Sequence, residues 1–135
     1  MTHSLVVAHG NREDLGWIKE VPQHWSRCVV ILDRPRGREA YAYLIHIVQH
    51  YWHLDDVIVF CQGHPFDHDQ KFIEHLETKT MFGMELDCGP RGEAQCDFCL
   101  IHKFCRIFEL PIFPSYRFVA GAQFKVTREQ IYSHP

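Results

Sequence analysis

The sequence predicts a layered α/β domain in which helices flank a largely parallel or mixed sheet. Short apolar runs rich in β-branched residues, near residues 4–8, 28–32, 57–61 and 118–126, alternate with segments of helical periodicity. The runs at 4–8, 28–32 and 57–61 are continuous, which is typical of strands buried on both faces of a parallel sheet. Ligands of such sheets bind beyond the carboxyl ends of the strands, so function is expected in the loops that follow them.

The longest predicted helix covers residues 38–52 and leads into the strand at 57–61. Its bulky apolar side chains recur every three or four residues, so we expect them to pack on the sheet. They are Tyr41, Leu44, Ile45, Val48 and Trp52. A second stripe with the same spacing is expected to face water, although histidines four residues apart on a helix can also chelate a metal. It contains Glu39, Tyr43, His46, His50 and His53.

Shorter helices are predicted before and after the segment that contains the helix at 38–52 and the strand at 57–61. Asn11 followed three residues later by Asp14 is typical of a helix start. Residues 69–79 have helical periodicity, with the apolar side on Phe72, Ile73 and Leu76. Residues 80–95 show no period and are expected to form an irregular surface excursion. Residues 127–130, Thr-Arg-Glu-Gln, have the form of a capping box and predict a last helix start.

Length and charge narrow the class of protein. The 135 residues are expected to form one α/β domain over 1–135, and the end at Pro135, just after a helix begins, suggests truncation at the C-terminus. The 14 Lys and Arg nearly balance the 17 Asp and Glu, so nucleic acid is not expected as a partner. The sequence has neither a secretory leader nor an apolar stretch of membrane-spanning length, which predicts a soluble cytoplasmic protein.

The six cysteines are expected to be free thiols because no export signal accompanies them. Cys96, Cys99 and His102 lie three residues apart, and with Cys88 they have the residue types of a zinc site. The separate second ligand pair of a zinc framework is missing. A helix over this segment that packs its apolar side is therefore the preferred interpretation.

The loop after the predicted strand at 57–61 contains the densest group of chemically active side chains. Imidazoles and carboxylates from His64, Asp67, His68 and Asp69 fall within six positions. Carboxylates at alternate positions can both bind one divalent cation, with manganese or magnesium expected and zinc as the alternative. The structural alternative is that Asp67 or Asp69 caps the next helix.

Two stretches of the chain closely resemble an uncharacterised protein family. The central stretch is similar to the family pattern GREAxxYLxxIxxxYxxLxDxxxFxQGxPFDH. The matching residues are Gly37-Arg38-Glu39-Ala40, Tyr43-Leu44, His50-Tyr51, Phe60, Gln62-Gly63 and Pro65-Phe66-Asp67-His68. Residues 117–129 resemble the late family motif FxxGAQFxVSRE, and residues 6–17 are similar to the opening VVARYNEDLxWL. The resemblance spans nearly the whole chain.

The order of parts in this family is similar to glycosyltransferases of the GT-A type, and the sequence Asp67-His68-Asp69 has their metal-binding DxD form. This resemblance implies a small GT-A-like domain that binds a nucleotide sugar or another small polar ligand. It implies nucleotide-sugar contacts from Asn11, Glu13, Asp14, Arg38, Gln62 and Gln123. Asp67 and His68 would bind the divalent cation at the reaction site or would take over its role there.

Two other functions stay open at the level of sequence. One is a metal-dependent hydrolase centred on His64, Asp67 and His68, with Glu39 as general base. The other is a binding domain without catalysis, which the short length favours. The sequence has no P-loop, no Gly-x-Gly-x-x-Gly turn and no Gly-x-Ser-x-Gly elbow, which argues against ATPases, dinucleotide enzymes and serine hydrolases.

Overall fold

The computed structural model describes residues 1–10, 12–32, 38–88, 103, 105–113, 116–119 and 121–133. The chain divides into two compact units. The first contains residues 1–83 and 121–135, and the second contains residues 84–120. Within the described residues, no helix combines the length and apolar character that crossing a membrane would require.

A four-stranded mixed sheet forms the centre of the first unit. Its strands are β1 (His3–His9), β2 (Trp25–Ile31), β3 (Val57–Gln62) and β6 (Phe124–Thr127), in the order β2-β1-β3-β6. β1 pairs in parallel with both β2 and β3, whereas β6 pairs antiparallel with β3. The expectation of a small α/β domain with a mixed sheet is confirmed.

The alternation of side chains along β1 and β3 builds a core on each face of the sheet. On one face Leu5, Val7 and Val59 pack with Trp25, Phe72 and Phe82. On the other face Val6, Ile58 and Phe60 pack with residues of helix α1 (Arg38–His50). Both strands are buried on both sides, as their continuous apolar runs predict.

β2 differs from its prediction in position and in burial. It begins at Trp25, three residues before the predicted start, and forms an edge of the sheet. Val29 and Ile31 are exposed, while Cys28 and Val30 pack toward α1. The prediction of a strand buried on both faces is wrong here because, among the described residues, the core on that side reaches β2 only at Trp25.

Helix α1 turns the opposite face to the sheet from the one that the sequence predicts. Ala42, Tyr43 and His46 are buried, and Tyr41, Leu44, Val48 and Trp52 are exposed. Ala42 lets the helix approach the strands closely. The Tyr43 hydroxyl donates a 2.7 Å hydrogen bond to the Ala122 carbonyl, so the buried ring keeps a polar partner. The prediction of the buried face is therefore wrong for Tyr43 and His46, whereas His50 and His53 of the same predicted stripe are exposed to water as expected.

The predicted strand at 118–126 is two strands separated by a turn. Gly121 lies there with φ of 100°, a backbone conformation that favours glycine. β6 follows it, whereas β5 (Tyr116–Val119) belongs to the second unit and pairs antiparallel with β4 (Glu85–Cys88). β4 lies in the segment expected to be irregular, so that expectation is wrong for these four residues.

The shorter helices agree with their predictions to different degrees. The predicted helix at 69–79 contracts to α2 (Phe72–His75), although Phe72 and Leu76 are fully buried as expected. A 3₁₀ helix at Gly16–Glu20 follows Asp14, and α3 (Arg128–Tyr132) begins at Thr127 with the predicted capping box. The prediction of this helix start is confirmed.

The cysteine predictions are resolved only in part. Cys28 and Cys61 are free thiols, as expected. Residues 105–107 are helical, in line with the helix predicted before Phe108. The proposed zinc ligands Cys96, Cys99 and His102 lie outside the described residues.

Candidate functional site

The carboxyl ends of three parallel strands meet at one edge of the central sheet. β1 ends at His9, β2 at Ile31 and β3 at Gln62. The chain continues from β1 to β2, which lies on one side of β1. From β3 the next strand of this sheet is β6, which lies on the opposite side. In open α/β sheets, such a reversal between neighbouring strands opens a crevice in which ligands bind. The loops after β1 and β3 therefore border the candidate site.

The loop after β1 is held by its own carboxylates. The backbone N–H of Gly10 donates a 2.9 Å hydrogen bond to Glu13, and that of Gly16 donates a 2.8 Å bond to Asp14. Glu13 also lies 3.0 Å from Nδ1 of His9. Burial opposes ionisation of Glu13, but the surrounding backbone N–H groups outweigh it and lower the pKa of this carboxyl. Glu13 is therefore a carboxylate at neutral pH.

Glu13 also joins the two loops of the site. A Cβ placed on Gly63 would lie 3.0 Å from Cγ and Cδ of Glu13, so the side chain covers the backbone just after β3. The indole of Trp17 donates a buried 2.8 Å hydrogen bond to the carbonyl of Gly63. A larger residue at position 63 would force the Glu13 side chain to shift, so glycine favours this close approach.

The loop after β3 presents one exposed imidazole–carboxylate pair. A 3₁₀ helix at Pro65–Asp67 brings Nδ1 of His64 to 3.0 Å from Asp67. Their side chains are 51% and 70% exposed, so both are accessible to a ligand. His68 instead packs under the turn at Gly121, where an added Cβ would lie 2.9 Å from Cγ of its ring.

Asp69 is directed away from this pair. Its carboxylate is buried, accepts a hydrogen bond from the backbone N–H of Lys71 and lies 2.7 Å from Nδ1 of His75. Asp69 therefore stabilises the turn before α2, but it does not cap this helix, whose N-cap residue is Lys71 and which has no side-chain cap. Across the described part of the chain, no three His, Cys, Asp or Glu side chains are grouped so that they could hold a metal ion.

Gln123 has a positioning role rather than an exposed binding surface. Its side chain is fully buried just before β6. Its amide nitrogen donates to the carbonyls of Pro65 and Phe82, at 3.2 Å and 3.3 Å. It thus ties the start of β6 to the loop that contains His64 and Asp67, and no hydrogen bond to its amide oxygen is found among the described residues.

The remaining predicted residues lie around the same edge or outside the described structure. Gln62 is half-buried at the end of β3, and Arg38 is exposed at the start of α1. Glu39 is half-buried in the first turn of α1. Tyr43, one turn further on, has its pKa raised, chiefly by burial and also by the charges of Cys61 and Glu39. Asn11 lies outside the described residues.

Sequence reasoning missed His9, Trp17 and Gly121 as parts of this edge. His9 is the last residue of β1 and follows a clear apolar run, so its position could have been noticed. The hydrogen bond from Trp17 to Gly63 and the packing of Gly121 on His68 join residues 46 and 53 positions apart. Neither contact has a local sequence signal.

Comparison with protein-family models gives a match to the family described as "Protein of unknown function (DUF3431)", over residues 5–88. That range covers more than half of the chain. The chain belongs to this family. The matched range includes the loops after β1 and β3, and it ends before residues 117–129. Searches of curated proteins and of solved structures gave no significant match.

Proposed function

We propose that this member of the DUF3431 family binds a nucleotide sugar at the crevice between the carboxyl ends of β1 and β3. The strand order β2-β1-β3-β6 carries the proposal, because it creates a reversal of connection between these two strands. The contact between Glu13 and Gly63 brings the two polar loops together at that point. Any ligand in the crevice would meet residues from both loops.

The charged groups at this edge suit a sugar diphosphate. Arg38 begins α1, and the first turn of a helix of this length adds free N–H groups that favour phosphate. Glu13 and Asp67 are carboxylates that accept hydrogen bonds from sugar hydroxyls. Since Glu13 already accepts from Gly10, its orientation is fixed before a ligand arrives.

The chemistry that we assign to this site is glycosyl transfer. An acceptor hydroxyl attacks the anomeric carbon, the new carbon–oxygen bond forms, and the bond to the diphosphate breaks as the diphosphate leaves with its electron pair. His64 is the group that we assign to receive the acceptor proton, because it is exposed and Asp67 lies beside its other ring nitrogen. No step passes through a metal, because Asp69 is occupied by His75 and Lys71.

A metal-dependent hydrolase is the second candidate. It is favoured by the same pair of His64 and Asp67, since an imidazole held beside a carboxylate can activate water as readily as an acceptor hydroxyl. In that case Glu39 would be the general base, and His68 would have to leave its position under Gly121 to become a metal ligand. A binding domain without catalysis would use the same crevice for the nucleotide sugar alone.

The experiment that tests the proposal is a thermal-shift screen. The protein is heated with nucleoside diphosphates and nucleotide sugars, each with and without manganese, magnesium or zinc. A ligand present at 100 times its dissociation constant adds about 2.7 kcal/mol to the free energy of unfolding, which raises the midpoint by several degrees. We expect such a shift from at least one nucleotide sugar.

Matched variants place the ligand in the molecule. Asp67→Asn should abolish the shift, whereas Glu74→Gln, which removes one exposed carboxylate on α2, should retain it. A nucleotide shift that persists in Asp67→Asn would remove the loop after β3 from the site. A shift with metal alone, together with hydrolysis lost in Asp67→Asn, would favour the hydrolase, and no shift with any nucleotide would overturn nucleotide binding.

A further inference from the structure

Helix α1 carries an exposed apolar seam on the side that faces away from the sheet. The seam consists of Tyr41, Leu44 and Val48 on α1 and of Trp52 on the 3₁₀ helix at Tyr51–His53 that directly follows it, and these side chains are 54%, 61%, 74% and 82% exposed. The spacing of three and four residues places Tyr41, Leu44 and Val48 in a line along α1, and Trp52 follows four residues later on the 3₁₀ helix. Large exposed apolar patches with this regularity mark interaction sites more often than a scatter of single residues does.

The seam is distinct from the core face of the same helix. Ala42, Tyr43 and His46 already fill the contact with the sheet, so the four seam residues cannot reach it without rotation of the helix. Rotation would break the hydrogen bond from Tyr43 to Ala122. The apolar seam is therefore a fixed feature of the outer surface.

The charges around the seam favour a protein partner over a bilayer. Residues 40–54 contain no Lys, Arg, Asp or Glu, and the acidic pair Asp55 and Asp56 follows directly. Helices that lie on membranes usually place Lys and Arg on the polar face to meet anionic lipid. A neutral seam next to acidic residues lacks that attraction, but it presents no like-charge repulsion to another helix of the same kind.

The order of side chain sizes suits pairing with a second copy. In an antiparallel pair of helices related by a two-fold axis near residue 46, Leu44 faces Val48 of the second copy, and Tyr41 faces Trp52. The smaller residues then meet at the centre, and the large aromatic residues meet at both ends. A two-fold interface requires such self-complementarity, because the same patch serves both partners.

The area available is consistent with a specific dimer of modest affinity. Buried aromatic side chains remove about 150–250 Å² each from water, so Tyr41 and Trp52 at their present exposure offer roughly 300 Å² per copy. Leu44 and Val48 bring the total for two copies close to the roughly 1,000 Å² of a small specific interface.

We propose that α1 is a homodimerisation helix, in which the seam of Tyr41, Leu44, Val48 and Trp52 packs antiparallel on the same seam of a second copy. The proposal is independent of nucleotide binding, since none of these four side chains belongs to the candidate site. It predicts that the chain, of 16.0 kDa, associates into a dimer in a concentration-dependent way.

The test is sedimentation equilibrium of the wild-type chain over a wide concentration range, compared with Leu44→Glu. The charge at the centre of the seam should weaken dimerisation by about a hundred-fold or more, because an uncompensated charge would be buried. The control is Gln49→Glu, an exposed residue of the same helix outside the seam. A wild type that is monomeric throughout, or a dimer unaffected by Leu44→Glu, would overturn the proposal.

A charge-pairing experiment guards against loss of folding in the variant. Leu44→Glu and Val48→Lys should each be monomeric alone, whereas their equal mixture should form mixed dimers, because the two opposite charges meet across the proposed axis. Failure of the mixture to associate would overturn the antiparallel arrangement. Association of the wild type with phosphatidylcholine vesicles that Leu44→Glu abolishes, without any dimer in solution, would show that a bilayer covers the seam instead.

Discussion

The two ends of the central sheet use their polar residues in different ways. At the amino ends of β1 and β3, Asp56 accepts hydrogen bonds from the backbone and hydroxyl of Thr2 and from Arg128. Arg128 also donates to the carbonyl of Leu54. At the carboxyl ends, Glu13 fixes the loop after β1, but His64 and Asp67 stay exposed and contact only each other in the described hydrogen bonds and ion pairs.

The polar groups at the amino end stabilise the fold, whereas those at the carboxyl end remain accessible to a ligand. At the amino end, the charges join the N-terminus, the start of β3 and the start of α3, which lie far apart in sequence. At the carboxyl end, packing against Gly63 and Gly121 fixes the backbone, while reactive side chains keep free surface. A rigid backbone that presents accessible polar groups is what a binding site requires.

The largest expected effect on this comparison comes from Gly121→Ala. The residue has φ of 100°, and the added Cβ would lie 2.9 Å from Cγ of His68. Backbone strain and overpacking together should lower the free energy of unfolding by about 3 kcal/mol. Urea denaturation would measure the loss. Gly16→Ala is the control, because its φ is not positive and its nearest neighbour, at 3.1 Å, is the side chain of Asp14.

A double variant separates the two causes. Gly121→Ala combined with His68→Ala should restore the part of the stability that is lost to overpacking but not the part that is lost to backbone strain. If Gly121→Ala proved as stable as the wild type, the carboxyl end would lack the rigid support that the comparison gives it.

The buried face of α1 offers a second, smaller test through pH. Burial, and then the neighbouring His50, lower the pKa of His46 to about 4, and the two rings stack at 4.4 Å. In the unfolded chain a histidine titrates near pH 6.5, so the unfolded state binds a proton that the folded state does not accept until the pH approaches 4. The free energy of unfolding should therefore be highest above about pH 6.5 and should fall by about 2–3 kcal/mol as the pH drops toward 4.

The comparison with His46→Phe isolates this contribution. The phenyl ring keeps the contact with Phe60 and cannot take up a proton, so the variant should lose less stability between pH 7 and pH 4. Denaturant titrations at several pH values would measure both slopes. Parallel curves for the two proteins would contradict the burial of a neutral His46.

The sequence predicted those parts of the fold that rest on local patterns. The apolar runs located β1 and β3, and the capping box at Thr127 located the start of α3. The prediction of which face of α1 is buried was wrong because the polarity of His46 and Tyr43 was taken to indicate that they face water. A buried tyrosine is stable once its hydroxyl finds the Ala122 carbonyl, 79 positions away, and no local pattern contains that contact.

The candidate site was predictable only as far as its place in the fold. A polar loop after a buried strand pointed to His64 and Asp67, and the structure places both at the exposed carboxyl edge. The sequence could not separate Asp69 from them, since its partner His75 lies six positions further on. A run of adjacent polar residues does not say which of them turn inward.

The smallest expected effect comes from replacing one carboxylate at each end of the sheet, which compares the two ends directly. Asp56→Asn should lower the thermal midpoint measurably, because it weakens the contacts with Thr2 and Arg128, and the pKa of Asp56 is already lowered by the Thr2 backbone N–H and by Arg128. Asp67→Asn should change the free energy of unfolding by less than about 0.5 kcal/mol, since Asp67 is exposed. Parallel thermal melts at neutral pH would compare the two. Equal losses of stability in the two variants would contradict the difference between the two ends of the sheet. A loss confined to Asp56→Asn would show that folding does not require Asp67, which leaves its carboxylate available for ligand binding.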